Sequence, residues 1–285
     1  MTQVFLGSEA IASGRLTKYD LRARCRRVLP GVYAPKGPLT LTDRIVATWL
    51  WSHRQGVICG LAASAVHGAK WVDADADIEI NWHHRKPPPG VVTRSGSLSG
   101  DEIDLSKRVA VTNVERTAFD LARQGSVSMA VQRLDALAAA TEFKVDGVLA
   151  VAANHPHVRR LLRVPDVLDR LDAGAQSPRE TWLRMLLTDA GFPRPETQIP
   201  VLGPDGYPRY FLDMGWREVM VAAEYDGEQH RIERDVYRND LRRSEYIAEV
   251  GWRRIRVIAG DGRAEIVRRV ERAWEAAQKA ARTSR

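Results

Sequence analysis

The feature that most constrains this chain is the order of its C-terminal segments. After Ala173-Gly174-Ala175-Gln176 breaks a preceding helix, Ser177-Pro178-Arg179-Glu180 opens a new one, with proline at the first helical position. That helix, SPRETWLRMLLTDAG, stops at Gly191, and three extended segments follow: TQIPVL, RYFLDMG and REVMVAAEYD. Then come a long charged helix, RIERDVYRNDLRRSEYIAEVG, a strand, WRRIRVI, and a last helix from residue 263. A chain that alternates in this way has to bury its strands as one sheet with helices packed against it. The domain boundary is expected near residue 175.

Acidic residues fall into a pattern on these strands. Along a strand from Val219 to Asp226, the period of two sets Met220, Ala222, Glu224 and Asp226 on one face. Reading Trp216-Arg217 as a two-residue turn sets Asp213 against Met220, on the side of Glu224 and Asp226. Three carboxylates on one face repel one another unless a cation joins them, and all-oxygen ligands suit Mg²⁺ or Mn²⁺. In a flat hairpin of that register Asp213 lies roughly 13 Å along the ladder from Glu224, so the strands are expected to splay or bend.

The segments SPRE (177–180), FLD (211–213), AEYDGEQH (223–230), RNDLRRSEY (238–246) and GWRRIRV (251–257) together resemble a known family. It is the very-short-patch-repair-endonuclease-like domain of unknown function, a branch of the PD-(D/E)XK nuclease superfamily. The resemblance covers residues 176–285. It implies a restriction-endonuclease-like αβββαβα domain and Mg²⁺-dependent cleavage of phosphodiester bonds. Asp213 and Glu224 would hold the ion, the carbonyl of Tyr225 would add a ligand, and Glu180 would act from behind these ligands or through a water. The superfamily's lysine, two residues after Glu224, is here Asp226. A cation or proton donor would then have to come from Gln229, His230 or an arginine of the next helix, Arg238, Arg242 or Arg243. His230 suits general acid-base work, since an imidazole titrates near working pH. Two plainer readings stand beside these: Ser177 and Glu180 form an S-x-x-E capping box, and Asp240 and Arg243 form an i, i+3 helix pair.

The chain carries a formal charge of +7 over 285 residues, and much of the excess lies at its start. Residues 1–36 hold seven basic side chains against two acidic ones, whereas residues 176–285 hold twenty against eighteen. Residues 4–12 read as a short helix stopped by Gly14, and Thr17 caps a second, TKYDLRARC, with Asp20 completing a capping box. Val28-Leu29 and Val32-Tyr33-Ala34 flank Pro30-Gly31 as a hairpin. Helix, turn, helix and basic hairpin is the order of a winged helix-turn-helix, in which Lys18, Arg22, Arg24, Arg26 and Arg27 would meet DNA. LTKYDLRARCRRVLPGVYAP (16–35) also resembles the N-terminal winged-helix region of AbiEi-type antitoxins.

The middle of the chain offers less chemistry. Residues 40–53 and 57–67 read as packed helices, 77–82 and 91–95 as neighbouring strands, and Asn113 or Thr112 as the cap of a helix in which Arg116 and Asp120 pair. A further helix, VSMAVQRLDALAAATE, follows, and this region resembles the central part of the same antitoxin-like proteins. His83-His84 has no spaced third ligand and carries no metal expectation. Two cysteines cannot staple a fold, and no apolar run reaches membrane-spanning length, so a cytoplasmic protein without a membrane partner is expected.

The expected architecture is α/β (α+β) in three parts: a winged helix over 1–38, a mixed α/β domain over 39–174 and the nuclease-like domain over 175–285. The expected function is a DNA-binding, Mg²⁺-dependent endonuclease. The alternative is a non-catalytic repressor or type IV antitoxin-like regulator, with a cognate toxin as a further partner and a homodimer as its form.

Overall fold

The computed structural model describes residues 4–105, 109–227 and 234–283. The protein is mixed α/β and divides into two compact units, Met1–Leu171 and Asp172–Arg285.

The first unit opens with β1 (Phe5–Leu6), α1 (Gly7–Ala12), α2 (Lys18–Arg24), β2 (Cys25–Leu29) and β3 (Val32–Pro35). The strands form an antiparallel sheet in the order β1-β3-β2. Phe5 and Leu6 are therefore strand where a helix over 4–12 is expected. Their pairing with Tyr33 and Val32 buries Leu6 beside Val32 and Ala34, a gain that two helical residues at a chain end could not match. Gly7 lets α1 start there, because a Cβ at that position would stand 2.6 Å from the Tyr33 ring. The expected capping box at α2 is present: Asp20 Oδ2 accepts the Thr17 N–H at 3.0 Å and the Asp20 N–H donates to Thr17 Oγ1 at 3.1 Å. At the hairpin, Gly31 takes φ +77°, which a side chain would resist.

The rest of this unit comprises α3 (Leu41–Trp51), β4 (Val57–Ile58), α4 (Gly60–Val66), β5 (Ile78–Asn81), β6 (Val91–Arg94), β7 (Ile103–Asp104) and β8 (Val111–Thr112), then α5 (Val114–Ala122), α6 (Val127–Thr141), α7 (Val145–Asn154) and α8 (Val164–Asp169). The second sheet runs β6-β5-β4-β8-β7. Val57 and Ile58 form its central strand rather than the start of a helix over 57–67, because both are buried and pair with Asn81 and Ile80. β5 and β6 are neighbours as expected, and they are parallel. One hydrophobic core joins the hairpin residues Val32 and Ala34 to Ile45, Leu50, Ile58, Ile78 and Ile80, so residues 1–38 and the middle region share an interior. Arg116 pairs with Asp120 at 3.0 Å as expected and also with Glu102 at 2.5 Å, and His155 meets Glu102 at 2.6 Å. This buried network fastens α5 and α7 to the turn before β7. His84 stacks on Trp82 and meets Trp51 edge-on.

The second unit follows the expected order: α9 (Pro178–Asp189), β9 (Glu196–Leu202), β10 (Pro208–Trp216), β11 (Val221–Asp226), α10 (Arg234–Glu249), β12 (Arg253–Ile258) and α11 (Arg263–Thr283). Its sheet runs β12-β11-β10-β9, antiparallel except for the parallel pair β11 and β12. Leu183 and Leu187 of α9 and Ile266 and Val270 of α11 pack with Met214, Trp216, Val221, Ala223 and Val257. Ile247 of α10 packs with Ile199, Val201, Leu212 and Ala222 in a separate cluster. Each of these buried aliphatic side chains is worth about 1.5–3 kcal/mol of transfer energy, which is what holds helices on a four-stranded sheet. Among the described residues no helix is long and apolar enough to cross a membrane.

Candidate functional site

The β10–β11 hairpin decides where the acids meet. Its observed register pairs Met214 with Ala223, Gly215 with Ala222 and Trp216 with Val221. The connection is a four-residue turn over 217–220, not the two-residue Trp216-Arg217 turn. Met220 closes it in a left-handed conformation at φ 51°, which the sequence does not announce because glycine or asparagine usually fills such a place. Continued past Met214–Ala223, this register would bring Asp213 level with Glu224, far nearer than a two-residue turn would put it. The ladder ends there. Asp213 Oδ2 accepts the N–H of Tyr225 at 3.0 Å. Leu212 packs in the α10 cluster and Met214 in the α9–α11 cluster, so the strand changes the face it buries across Asp213.

Glu224 is only 6% exposed. Its Oε1 accepts from Arg243 Nη2 of α10 at 2.7 Å and its Oε2 from Arg254 Nη1 of β12 at 3.1 Å. Burial pushes its carboxyl up to about 7, and the charge of Asp213 adds to that rise, while Arg243 and Arg254 oppose it. Asp213 is also raised, first by burial and further by Asp226, against the Tyr225 N–H and the two arginines. A carboxyl that stays above its ordinary range with two guanidiniums beside it lies in a strongly desolvated place, the kind of environment found at functional sites.

Asp226, at the lysine position of the superfamily pattern, holds a cation from the neighbouring strand. Arg256 Nη2 donates to Asp226 Oδ2 at 2.5 Å and its Nη1 to Asp240 Oδ2 at 2.6 Å. Asp240 thus serves Arg256, not Arg243 as the i, i+3 helix pair would have it, because Arg243 turns to Glu224 and to the carbonyl of Phe211. Arg254 and Arg256 were not among the expected site residues. The alternation Arg254-Ile255-Arg256-Val257 marks a strand with one basic face, and that was the available signal.

Glu180 is tied into the start of its own helix. Ser177 Oγ donates to Glu180 Oε1 at 2.8 Å, and the Gln176 N–H to Oε2 at 2.9 Å. Ser177 caps the helix by accepting the Glu180 N–H at 3.2 Å, but the reciprocal half of the expected capping box is replaced, since Glu180 takes the N–H of Gln176 rather than that of Ser177; burial raises the Glu180 carboxyl and the Asp213 charge raises it further. Gln198 of β9, aligned with Asp213, was not anticipated. It takes φ 50°, a conformation costing about 1–3 kcal/mol in a non-glycine residue, and its amide lies 3.0 Å from Gln176 Nε2 and 3.5 Å from Glu180 Oε2. Strained backbone of this kind gathers at functional sites.

The remaining expected residues divide. Tyr225 packs edge-on against Trp182 at 6.3 Å, with Arg179 over its ring. Arg242 and Arg238 are exposed on α10. Gln229 and His230 lie outside the described residues. In the first unit, Lys18, Arg22, Arg24, Arg26 and Arg27 are all exposed, and Arg24 alone of the five has an acidic partner among the described residues, Asp20 at 3.6 Å.

Among the described residues no group of three or more His, Cys, Asp or Glu side chains is gathered as a metal cage. A cage is not what Mg²⁺ requires, since it commonly binds through one or two carboxylates and completes its shell with water and substrate phosphate. Asp213 and Glu224, at the end of the β10–β11 ladder and both raised by burial, fit that donor set. An ion there would relieve their mutual repulsion and would take an oxygen from Arg243 or Arg254.

No protein-family model matches the chain. It is similar to two proteins of Mycobacterium tuberculosis, the uncharacterized protein MT2308 of strain CDC 1551 / Oshkosh and the uncharacterized protein Rv2248 of strain H37Rv. Each is 26% identical over 245 residues, which cover 84% of this chain and 87% of the relative. The similarity therefore extends across both units.

Proposed function

We propose that this chain is a DNA-binding protein whose second unit carries a metal-dependent phosphodiester-hydrolysing site of PD-(D/E)XK type. The observation that carries the reading is that Asp213 and Glu224 lie at the end of the β10–β11 ladder, Asp213 bound to the N–H of Tyr225 next to Glu224, with both carboxyls raised by burial. The αβββαβα order of the unit supports it. The first thirty-eight residues dock on duplex DNA as a winged helix. Their order of strand, helix, helix and hairpin supports that, as do the exposed Lys18 and Arg22 on α2 and Arg26 and Arg27 on β2.

Mg²⁺ or Mn²⁺, when bound, supplies polarisation of a phosphoryl oxygen and a water of lowered pKa. The side chains of Asp213 and Glu224 and the carbonyl of Tyr225 would hold the ion. The Tyr225 N–H fixes the Asp213 carboxylate through Oδ2, and Arg243 and Arg254 hold Glu224 in place. Arg256, gripped by Asp226, returns a cation to the strand position from which the superfamily lysine is missing. There it can meet the charge that develops on phosphate. Supercoiled plasmid incubated with Mg²⁺ is the test. The wild type nicks it and Asp213→Asn loses roughly two orders of magnitude or more in rate, as removal of a metal ligand should. Cleavage undiminished in Asp213→Asn sinks the assignment.

A second reading is a non-catalytic regulator of the antitoxin-like kind, which keeps the second unit as a binding or dimerisation module. The pairing of both Glu224 oxygens with arginine favours it. It expects salt-dependent binding to the protein's own promoter, equal in wild type and Asp213→Asn, with no nicking by either.

A further inference from the structure

Within the first unit, β2, the start of α3 and the residues leading into β6 enclose a cavity of about 510 Å³. That is within the roughly 300–1,000 Å³ range of small-molecule sites. Three arginines line it, Arg26 and Arg27 from β2 and Arg44 from α3, against an apolar wall that includes Leu29, Ile78 and Val91. Asp75, exposed at its edge, is the one acid lining it. Arg26 and Arg27 have no acidic partner among the described residues. Arg44 Nη1 donates to the carbonyl of Ala74, which fixes the guanidinium without neutralising it. Gly90 borders the cavity at φ +79°, a backbone conformation that a side chain would resist.

Three arginines lining one concavity concentrate positive charge there, and one exposed carboxylate offsets only part of it. The Arg44 guanidinium, held by a carbonyl in a cavity that Arg26 and Arg27 also line, is suited to phosphate oxygens, which arginine binds in a fork. We infer that this cavity is a phosphate-binding site, taking a phosphate or pyrophosphate group on Arg26, Arg27 and Arg44. The group can belong to a nucleic-acid backbone brought to the hairpin, which rests on the reading proposed above. It can equally belong to a free phosphorylated small molecule, which does not.

Calorimetric titration of the full chain with inorganic pyrophosphate at low salt tests the site. The wild type binds, Arg44→Gln weakens binding at least tenfold with its thermal midpoint retained, and Arg44→Lys recovers part of the loss. Arg27→Gln, at an exposed strand position, reads the same loss should Arg44→Gln fail to fold. No binding by wild type, or equal binding by wild type, Arg44→Gln and Arg27→Gln, overturns the site. A salt titration of duplex-DNA affinity then separates the two sources. A slope of log K against log salt lower by about 0.9 in Arg44→Gln assigns the phosphate to the backbone. An unchanged slope together with lost pyrophosphate binding assigns it to a free ligand. Wild type that takes pyrophosphate and ignores DNA removes the DNA-binding reading and leaves the anion site standing.

Discussion

Arg22, Arg26 and Arg27 of the first unit stand exposed without an acidic partner among the described residues, whereas Arg243, Arg254 and Arg256 of the second each hold a carboxylate, at 2.7, 3.1 and 2.5 Å. The same side chain does two kinds of work in one chain. An unpaired guanidinium in water leaves a positive field for a polyanion to find. A paired one beside a buried acid sets that acid's protonation and position. Net charge, summed over the chain, blurs the difference.

The comparison can be broken from either side. The largest effect is expected on DNA affinity: changing Lys18, Arg22, Arg26 and Arg27 together to glutamine should cost about 10³-fold at 0.15 M salt, at roughly 0.9 counterions per contact. Fluorescence anisotropy across a salt series measures it, with thermal stability unchanged because these cations pair with no acid among the described residues. An affinity that barely moves would mean that the exposed cations are solvated surface. In the second unit Arg254→Met should destabilise by about 3 kcal/mol in urea at pH 8, since Arg254 is 8% exposed and its loss strands the Glu224 charge. The loss should shrink at pH 5, where Glu224 is protonated in both variants.

The pH behaviour of Glu224 sharpens the same contrast. Its folded carboxyl titrates near 7, above the 4.5 of an unperturbed glutamate, so between those values the folded state holds a proton that the unfolded state has released. Stability should therefore fall as pH rises from about 5 to 8, by roughly 3 kcal/mol from this group alone. Glu224→Gln should flatten that slope in thermal melts, and a slope equal to that of the wild type would show that Glu224 is charged throughout. The smallest effect is expected at Ser177→Ala. Loss of the α9 cap should cost about 1 kcal/mol in urea denaturation.

Much of this arrangement was legible in the residues. Thr17 with Asp20, and Ser177 with Glu180, announced helix starts, because a cap is a local hydrogen-bonding event among four residues. The order of elements after residue 177 was legible for a similar reason: each segment is long enough for its period to show. Phe5–Leu6 and Val57–Ile58 were not legible as strands, since two residues have no period and their pairing partners lie far along the chain. The four-residue turn at 217–220 was missed because nothing in Trp216-Arg217-Glu218-Val219-Met220 marks Met220 as left-handed. That turn shifts the register so that Met214 pairs with Ala223 and Asp213 reaches the N–H of Tyr225. Gln198 was missed for the same reason, its strain being visible only in its backbone angle.

By itself the amino-acid sequence settled which segments are helix and strand in the second unit, where the basic residues crowd, and that Asp213, Glu224 and Asp226 belong to adjoining strands. Those are properties of neighbours along the chain. Which carboxylate faces which, and which arginine answers it, waited for the tertiary structure, because β12 lies beside β11 only after α10 has carried the chain back in parallel. Arg256 beside Asp226, thirty residues apart, is a product of that crossover.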